Sequence, residues 1–353
     1  MIGWDIGGAN IKVSAIKLKG NEIDSIRIII EHFPIWKKPE KLPKILCEIK
    51  NRIYSKKPES MSLTMTGELS DVFRNKKEGV NYILDSASQA FNNYDYSVLN
   101  IRSKLISVDE AKANPIEVAG ANWVATGWLI SKKIRNCVVI DIGSTSTSII
   151  PIMKGKIAAL GKTDFEKLIV GELVYTGVLR TNVAAIVNEV PIKGAKVGIS
   201  SEFFSQSGDI HLILGNISYE DYLTETPDNR GKNLINATKR LARVICADLE
   251  DLKKSEIIRI ARYIYEKQID QIMTGLEKVY SRLDPNNKRE IPVITTGIGK
   301  KFLAKKAAKQ LNIKKIVDIN KIIDNFTFMA TPAVGVAIMQ AHKLLGRNVI
   351  WKH

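Results

Sequence analysis

The chain has 353 residues, of which 45% are hydrophobic and 25% are charged. These proportions are those of a soluble globular protein that is long enough for two domains. No apolar run approaches the roughly 20 residues of a membrane span, and the first motif begins at residue 3, so we expect a cytoplasmic protein with no signal peptide and no membrane partner.

The net charge of +16 raises the question of nucleic-acid binding. Lys and Arg are spread along the chain, however, and no aromatic residues interleave them in a recognition pattern. A general positive field also attracts small anions. We therefore expect small-molecule substrates and no nucleic-acid partner. The three cysteines lack Cys-x-x-Cys spacing, which indicates free thiols.

Hydrophobic periodicity and turn residues predict an alternation of strands and helices. In the first part we predict two strands joined by a turn at 1–18, a strand at 26–30, a helix at 38–54, a strand at 61–65, a helix at 77–92, a strand at 103–108 and a helix at 116–131. In the second part we predict a strand at 138–142, a hairpin at 147–160, a hairpin at 191–199, a helix face at 210–214, a loop at 224–233, one long or two consecutive helices at 234–283, a strand at 292–296 and a helix at 333–345.

Two segments repeat one pattern. Residues 4–12 read Trp-Asp-Ile-Gly-Gly-Ala-Asn-Ile-Lys and residues 140–147 read Ile-Asp-Ile-Gly-Ser-Thr-Ser-Thr, with the two aspartates 136 positions apart. An Asp at a strand end followed by Gly builds a tight turn whose N–H groups can cradle phosphate oxygens, while the carboxylate can hold a metal ion or a metal-bound water. Two copies predict two loops that face one polyphosphate.

A third glycine turn, Thr295-Thr296-Gly297-Ile298-Gly299, follows another apolar strand. The order of the three turns resembles the actin-like ATPase superfamily. That resemblance implies an α/β fold of two ribonuclease H-like domains with a cleft between them. We place the domains at 1–132 and 133–353, with the C-terminal helix free to return to the first. It also implies that the third turn packs against an adenosine, and that Lys12 is a phosphate-binding lysine.

A closer resemblance covers nearly the whole chain. The segments that carry it are Thr66–Asp71, Glu78–Val80, Ala121–Trp123, Asp164–Arg180, Asp209–Gly215, Gly231-Lys232 and Arg240–Arg243. They resemble the hydantoinase A/oxoprolinase-related proteins, in a branch linked to one-carbon metabolism in methanogens. His211 is not part of that pattern, and we assign it no role.

The resemblance implies a transferase of methanofuran biosynthesis. Such an enzyme condenses 5-(aminomethyl)-3-furanmethanol diphosphate with γ-glutamyltyramine to form an aryl ether and releases diphosphate. An ATP-dependent small-molecule kinase and a hydantoinase/oxoprolinase-type amide-ring hydrolase stay open as alternatives that would use the same cleft. A nucleotide-gated assembly protein is disfavoured, because the sequence shows no polymer-forming insertion.

Displacing diphosphate requires a metal ion, cationic side chains and N–H groups that neutralise the leaving group. We expect Asp5 and Asp141 to hold Mg²⁺ and Lys12 to take charge on the leaving oxygens. Whether ATP binds stays open. The turn residues expected to bind diphosphate are Gly7, Gly8, Asn10, Gly143, Ser144, Thr145, Ser146, Gly297 and Gly299.

The acceptor phenol has an ordinary pKa near 10, so its attack needs a carboxylate base or a nearby cation. Glu68 and Asp71 are our first candidates, because they follow a strand and share a short loop. Glu172 and Arg180 come next. The sequence leaves open which acid is the base and what the oligomeric state is, with a homo-oligomer as one option.

Overall fold

The computed structural model describes residues 1–53, 58–92, 94–286, 288–323, 329–346 and 348–350. The strands are β1 (Ile2–Ile6), β2 (Asn10–Lys19), β3 (Glu22–His32), β4 (Met61–Met65), β5 (Tyr96–Leu99), β6 (Leu105–Ile106), β7 (Cys137–Ile142), β8 (Thr147–Met153), β9 (Lys156–Ile157), β10 (Leu173–Val174), β11 (Glu189–Ile192), β12 (Ala195–Gly198), β13 (Val293–Gly297) and β14 (Ile316–Asp318). The α-helices are α1 (Leu42–Ile53), α2 (Lys76–Ala90), α3 (Val108–Ala113), α4 (Asn122–Ser131), α5 (Asp164–Val170), α6 (Ser207–Ile213), α7 (Leu234–Arg243), α8 (Lys254–Leu283), α9 (Lys305–Gln310) and α10 (Thr331–Leu345).

The two large sheets share one plan. The first has the strand order β3-β2-β1-β4-β5-β6, in which β1, β2 and β3 are antiparallel and β1, β4 and β5 are parallel. The second has the order β10-β8-β7-β13-β14, with β9 paired to β8 and with β13 parallel to β7. In each sheet a strand that carries Asp-Ile-Gly has its hairpin partner on one side and a later, parallel strand on the other. The predicted α/β, ribonuclease H-like fold is confirmed.

The chain divides into two compact units. The first contains Met1–Cys137, Ile150–Glu166 and the last segment from Asp318 on, and the second contains Val138–Ile149 and Lys167–Val317. The domain boundary placed after residue 132 stays a prediction. The segment that contains α10 belongs to the first unit. Within the described ranges, no helix combines the length and apolarity needed to span a membrane.

Local backbone geometry explains where predicted elements differ from observed ones. Gly120 has a φ of +60°, so the helix expected from residue 116 begins only at Asn122. Cys246 has a φ of +56°, and the helical region that begins at 234 is therefore two helices, α7 and α8. The strand expected at 103–108 is the short β6, and β5 before it was missed.

Helix α10 packs closely on the first sheet, because small residues face it. The Ser14 hydroxyl donates to the Ala333 carbonyl at 3.0 Å and the Ser62 hydroxyl donates to Val336 at 2.8 Å. A Cβ on Gly3 would lie 2.0 Å from the Ala333 oxygen. The glycine of β1 therefore sets how near the helix lies to the strand that leads into the first turn.

Gly3→Ala should destabilise the protein by about 1–3 kcal/mol, because the added methyl group must push α10 off the sheet. Urea unfolding followed by circular dichroism measures the change. Gly198→Ala is the matched control, since a Cβ there meets no atom within 4 Å. Equal stabilities for the two variants would contradict the close packing of α10 on β1.

Candidate functional site

The first Asp-Ile-Gly turn is closed by one backbone hydrogen bond. The Gly7 N–H donates to the Asn10 carbonyl at 3.0 Å, and a Cβ on Gly7 would lie 2.8 Å from that same oxygen. The turn therefore requires a glycine at position 7, because a side chain there would clash with the Asn10 carbonyl. The Gly7 N–H closes the turn. The Asn10 side chain contacts His32, with 3.2 Å between Oδ1 and Nδ1.

Three carbonyl oxygens of this turn are hydrogen-bonded inside the protein. Besides the Asn10 oxygen, the Gly8 oxygen accepts from the Ile35 amide at 2.8 Å and the Ala9 oxygen accepts from the Phe33 amide at 3.0 Å. Carbonyl oxygens repel an anion, whereas N–H groups attract one. A turn that binds its own carbonyls in this way is suited to hold phosphate oxygens.

Asp5 and Lys12 lie opposite each other on β1 and β2, so both side chains are on one face of the sheet. The Lys12 Nζ is 3.8 Å from Asp5 Oδ2. The carboxylate is almost buried, with 4% of its side chain exposed, whereas 28% of the lysine side chain is exposed. The ammonium group is therefore the more accessible of the two charges beside the first turn.

The loop that follows β4 lies directly against the first turn. The amides of Thr66 and Gly67 both donate to the Ile6 carbonyl, at 2.9 and 3.0 Å. A Cβ on Gly8 would lie 3.2 Å from the Ser70 hydroxyl. The structure thus brings the segment Thr66–Asp71 and the first turn together, in one unit of the chain.

The two candidate acids of this loop have opposite environments. Asp71 is exposed, whereas Glu68 is 1% exposed and both of its carboxyl oxygens are buried. Burial is the largest cause that raises the pKa of Glu68 to about 7, and the nearby Asp164, whose carboxylate is 3.5 Å from the Lys76 ammonium, contributes to this shift. Of these two acids, only Asp71 is accessible to a substrate in this structure.

The second turn repeats the hydrogen bonds of the first. The Gly143 N–H donates to the Ser146 carbonyl at 3.0 Å, and the Gly143 oxygen accepts from the Val178 amide at 3.0 Å. The Ser144 oxygen accepts from the amides of Leu179 and Arg180, at 2.9 and 3.0 Å. The predicted repeat is therefore a repeat of backbone geometry as well as of sequence.

We call residues 176–181 the strap, because this segment covers the back of the second turn. A Cβ on Gly177 would lie 2.6 Å from the backbone nitrogen and carbonyl carbon of Thr145. The Arg180 Nη1 donates to the Thr145 hydroxyl at 3.4 Å. The strap therefore places the Arg180 guanidinium beside the predicted diphosphate-binding hydroxyls.

The third turn packs on the second. In the parallel pairing of β13 with β7, Gly297 lies opposite Ile142. Gly297 has a φ of +80°, and its Cβ would lie 2.3 Å from the Ile142 oxygen and 2.7 Å from Asp141 Oδ1. The Gly299 N–H donates to the Ile142 carbonyl at 3.2 Å. Both glycines are thus required by contact with β7, the strand that carries Asp141.

Glu172 lies apart from the second turn. Its buried carboxylate accepts from the Arg282 guanidinium at 2.7 Å, and its carbonyl accepts from the Ile149 amide. Ile149 is three residues beyond Ser146 along β8, so Glu172 is about 10 Å along the strand from the turn. A catalytic role for Glu172 stays a prediction, and the ion pair with α8 gives its burial a structural reason.

Sequence reasoning missed two buried polar side chains behind the strap, Gln268 and His211. They are 1% and 0% exposed, and 3.0 Å separates Gln268 Oε1 from His211 Nε2. The signal for Gln268 was a polar residue on the buried face of α8, between Ile264 and Ile272. No sequence signal marked His211, whose contacts join separate helices.

The carboxylates beside the turns are suited to bind Mg²⁺ together with the phosphates of a substrate. Among the described residues, no group of three or more His, Cys, Asp or Glu side chains is placed to hold a metal ion. Each unit instead offers one carboxylate beside a phosphate-type turn, Asp5 or Asp141. Mg²⁺ commonly binds in this manner, through one or two carboxylates, several waters and the phosphates of the substrate.

Known proteins match the chain over most of its length. The hydantoinase/oxoprolinase family model matches residues 59–343. A protein of Methanocaldococcus jannaschii named (4-{4-[2-(gamma-L-glutamylamino)ethyl]phenoxymethyl}furan-2-yl)methanamine synthase is 37% identical over 338 residues, which cover 96% of this chain and 96% of that protein. A Methanococcus vannielii protein of the same name is 36% identical over 213 residues, which cover 60% of this chain and 93% of the relative.

A solved structure supports the fold. The nucleotide-free structure of acetone carboxylase superposes with a TM-score of 0.56 at 9% identity, over 96% of this chain and 70% of that one. At this identity the likeness concerns the architecture alone.

Glu68→Gln should change how stability depends on pH. A carboxyl whose pKa is raised in the folded state stabilises the protein fully below its unfolded pKa, and this contribution is lost as the pH rises through the folded pKa. Here the loss falls between pH 4.5 and about 7, and it amounts to about 3 kcal/mol. Glutamine does not ionise, so the Glu68→Gln variant does not lose this stability as the pH rises.

Urea unfolding at pH 5 and pH 8 measures this effect. The stability of Glu68→Gln relative to the unsubstituted protein should be about 2 kcal/mol more favourable at pH 8 than at pH 5. A difference that is the same at both pH values would mean that the carboxyl ionises as it does in water.

Proposed function

The chain belongs to the hydantoinase/oxoprolinase family, and we propose that it is the transferase that joins γ-glutamyltyramine to 5-(aminomethyl)-3-furanmethanol diphosphate with release of diphosphate. The family membership expected from the motifs is confirmed by the family match. The observation that carries the proposal is the similarity to the Methanocaldococcus jannaschii synthase, which extends over 96% of both chains. A similarity of that extent includes the second and third turns and the loop after β4.

The name of those relatives describes a phenoxymethyl-furan product, which is an ether between a phenol oxygen and a furan-bound methylene carbon. To form that ether from the proposed substrates, the phenol oxygen bonds to the methylene carbon. The bond between this carbon and the diphosphate oxygen breaks, and its electron pair leaves with diphosphate. The phenol proton must pass to a base.

The two Asp-Ile-Gly turns support the proposal, because a leaving diphosphate needs its developing charge stabilised. In each turn three carbonyl oxygens are hydrogen-bonded within the protein, which favours the binding of an anion. Lys12 in the first unit and Arg180 in the second each add a cation beside a turn. Mg²⁺ bound at Asp5 or at Asp141 would supply further charge neutralisation.

Asp71 is the residue that we propose as the base. It is exposed on the loop that packs against the first turn, and it can therefore contact a bound phenol. Glu68 is three residues earlier, but both of its carboxyl oxygens are buried. We propose that Glu68 supports the loop from beneath, while Asp71 holds the phenol and accepts its proton.

The purified protein should make the ether from the two substrates with Mg²⁺ and without a nucleotide. Mass spectrometry of the ether and a colorimetric assay of diphosphate release measure the reaction. The alternatives, a kinase or an amide-ring hydrolase, require ATP. Product that forms only after ATP is added, or ADP that forms without ether, would overturn the proposed reaction.

Asp71→Asn should lower kcat by about 10²–10⁴-fold, the usual contribution of a positioned base. Steady-state kinetics with saturating furanmethanol diphosphate measure the loss. The comparison variant is Glu68→Gln, for which we expect less than a tenfold loss, because a buried amide can support the loop as the protonated acid does. The reverse order of the two losses would make Glu68 the base.

A further inference from the structure

A chain of buried polar side chains connects two helices of the second unit to the strap. The Gln268 amide nitrogen of α8 donates to the Thr176 hydroxyl at 2.9 Å and to the Gly177 carbonyl at 2.8 Å. Its amide oxygen is 3.0 Å from the Nε2 of His211 on α6. The Asn216 side chain completes the chain, 3.2 Å from the His211 Nδ1.

The donors and acceptors along this series of side chains can be assigned in one consistent way. Because the Gln268 nitrogen donates to the strap, its oxygen must accept, and the proton therefore lies on the Nε2 of His211. The Nδ1 is then free to accept from the Asn216 amide. Burial lowers the pKa of His211 to about 4, so the ring is neutral at physiological pH and keeps this tautomer.

The strap contacts the second turn directly, because its amides donate to the Gly143 and Ser144 carbonyls. Within it, the Gly177 N–H donates to the Thr181 hydroxyl at 2.9 Å, which rigidifies the bend. Gly177 also lies so close to Thr145 that no side chain fits between them. A shift of the strap at Gly177 would therefore be passed directly to the turn, and with it to Arg180.

The same imidazole contacts the segment after the third turn. The His211 ring lies 4.8 Å from the Phe302 ring and 5.9 Å from the Tyr265 ring, measured between centroids. Phe302 belongs to the π-helical turn Lys300–Ala304 that follows Gly299. The Tyr265 hydroxyl donates to the Phe302 carbonyl at 2.6 Å. His211 therefore contacts the supports of both the second and the third turn.

We propose that Gln268 and His211 are positioning residues of the second turn, which hold the strap so that Thr145 and Arg180 meet the diphosphate of the substrate. The inference rests on the proposed function for the identity of that ligand. A glutamine on an otherwise apolar helix face destabilises a core unless its amide is hydrogen-bonded. Its bonds here go to the strap, which in turn binds the carbonyls of the second turn, and this is what a positioning role requires.

The test uses inorganic diphosphate as the probe, because its binding does not depend on turnover. Gln268→Leu keeps the side-chain volume and removes both hydrogen bonds to the strap. We expect the Kd for diphosphate, measured by isothermal titration calorimetry with Mg²⁺, to rise about tenfold. The KM for furanmethanol diphosphate should rise in parallel, while the KM for γ-glutamyltyramine stays within twofold.

Two variants of His211 keep the test valid if Gln268→Leu folds poorly. His211→Phe fills the space between the aromatic rings but lacks a donor for the Gln268 oxygen, and it should weaken diphosphate binding about as much as Gln268→Leu. His211→Gln retains a donor and should restore binding to within about threefold. Gln271→Leu is the control on the same helix, because Gln271 is only partly buried and bonds to Ala185 instead of the strap.

A merely structural role predicts a different result. Gln268→Leu and His211→Phe would then lower the melting temperature but leave the diphosphate Kd within twofold of the unsubstituted value, and that result would overturn the inference. An unsubstituted protein that binds no diphosphate would overturn it as well. Diphosphate binding that weakens as expected in a protein that makes no ether would refute only the proposed reaction.

Discussion

The hydrogen bond that closes each Asp-Ile-Gly turn is the interaction on which the candidate site depends. In both turns a glycine N–H donates to the carbonyl three residues later at 3.0 Å, and backbone amides from neighbouring segments bind two further carbonyls of each turn. The partners of those carbonyls come from different places, the chain after β3 in one unit and the strap in the other. The same electrostatic requirement, carbonyl oxygens kept away from an anion, is thus met twice by different local solutions.

Glycine packing makes this arrangement rigid. Gly67 contacts Gly7, Gly177 contacts Thr145 and Gly297 contacts Ile142, each at a distance that excludes a side chain or forces it to displace its neighbour. Because interiors are close-packed, such contacts transmit a displacement instead of absorbing it. The turns are therefore held by the loops behind them. The residues that fix those loops matter as much as the residues of the turns.

Sequence reasoning found the turns but could not find their supports. Asp5, Gly7, Asp141 and Gly143 are visible because a strand that ends in Asp-Ile-Gly is a local pattern, and the register that pairs β1 with β2 follows from it. The burial of Glu68 depends on how its loop folds back on the chain, which no local pattern specifies. Gln268 lies 91 residues from Gly177, so their hydrogen bond is a property of the tertiary fold alone.

The glycines of the third turn do not by themselves indicate a nucleotide ligand. Its Thr-Gly-x-Gly pattern suggested an adenosine contact, yet both glycines are accounted for by packing. Gly297 has a positive φ and no room for a Cβ against Ile142, and Gly299 has none against Ile142 and Val178. These glycines would be required whether or not a nucleotide bound, and the pattern therefore carries no independent weight for ATP. The first two turns support an anion instead, because each combines hydrogen-bonded carbonyl oxygens with a partly exposed cation beside it, Lys12 or Arg180.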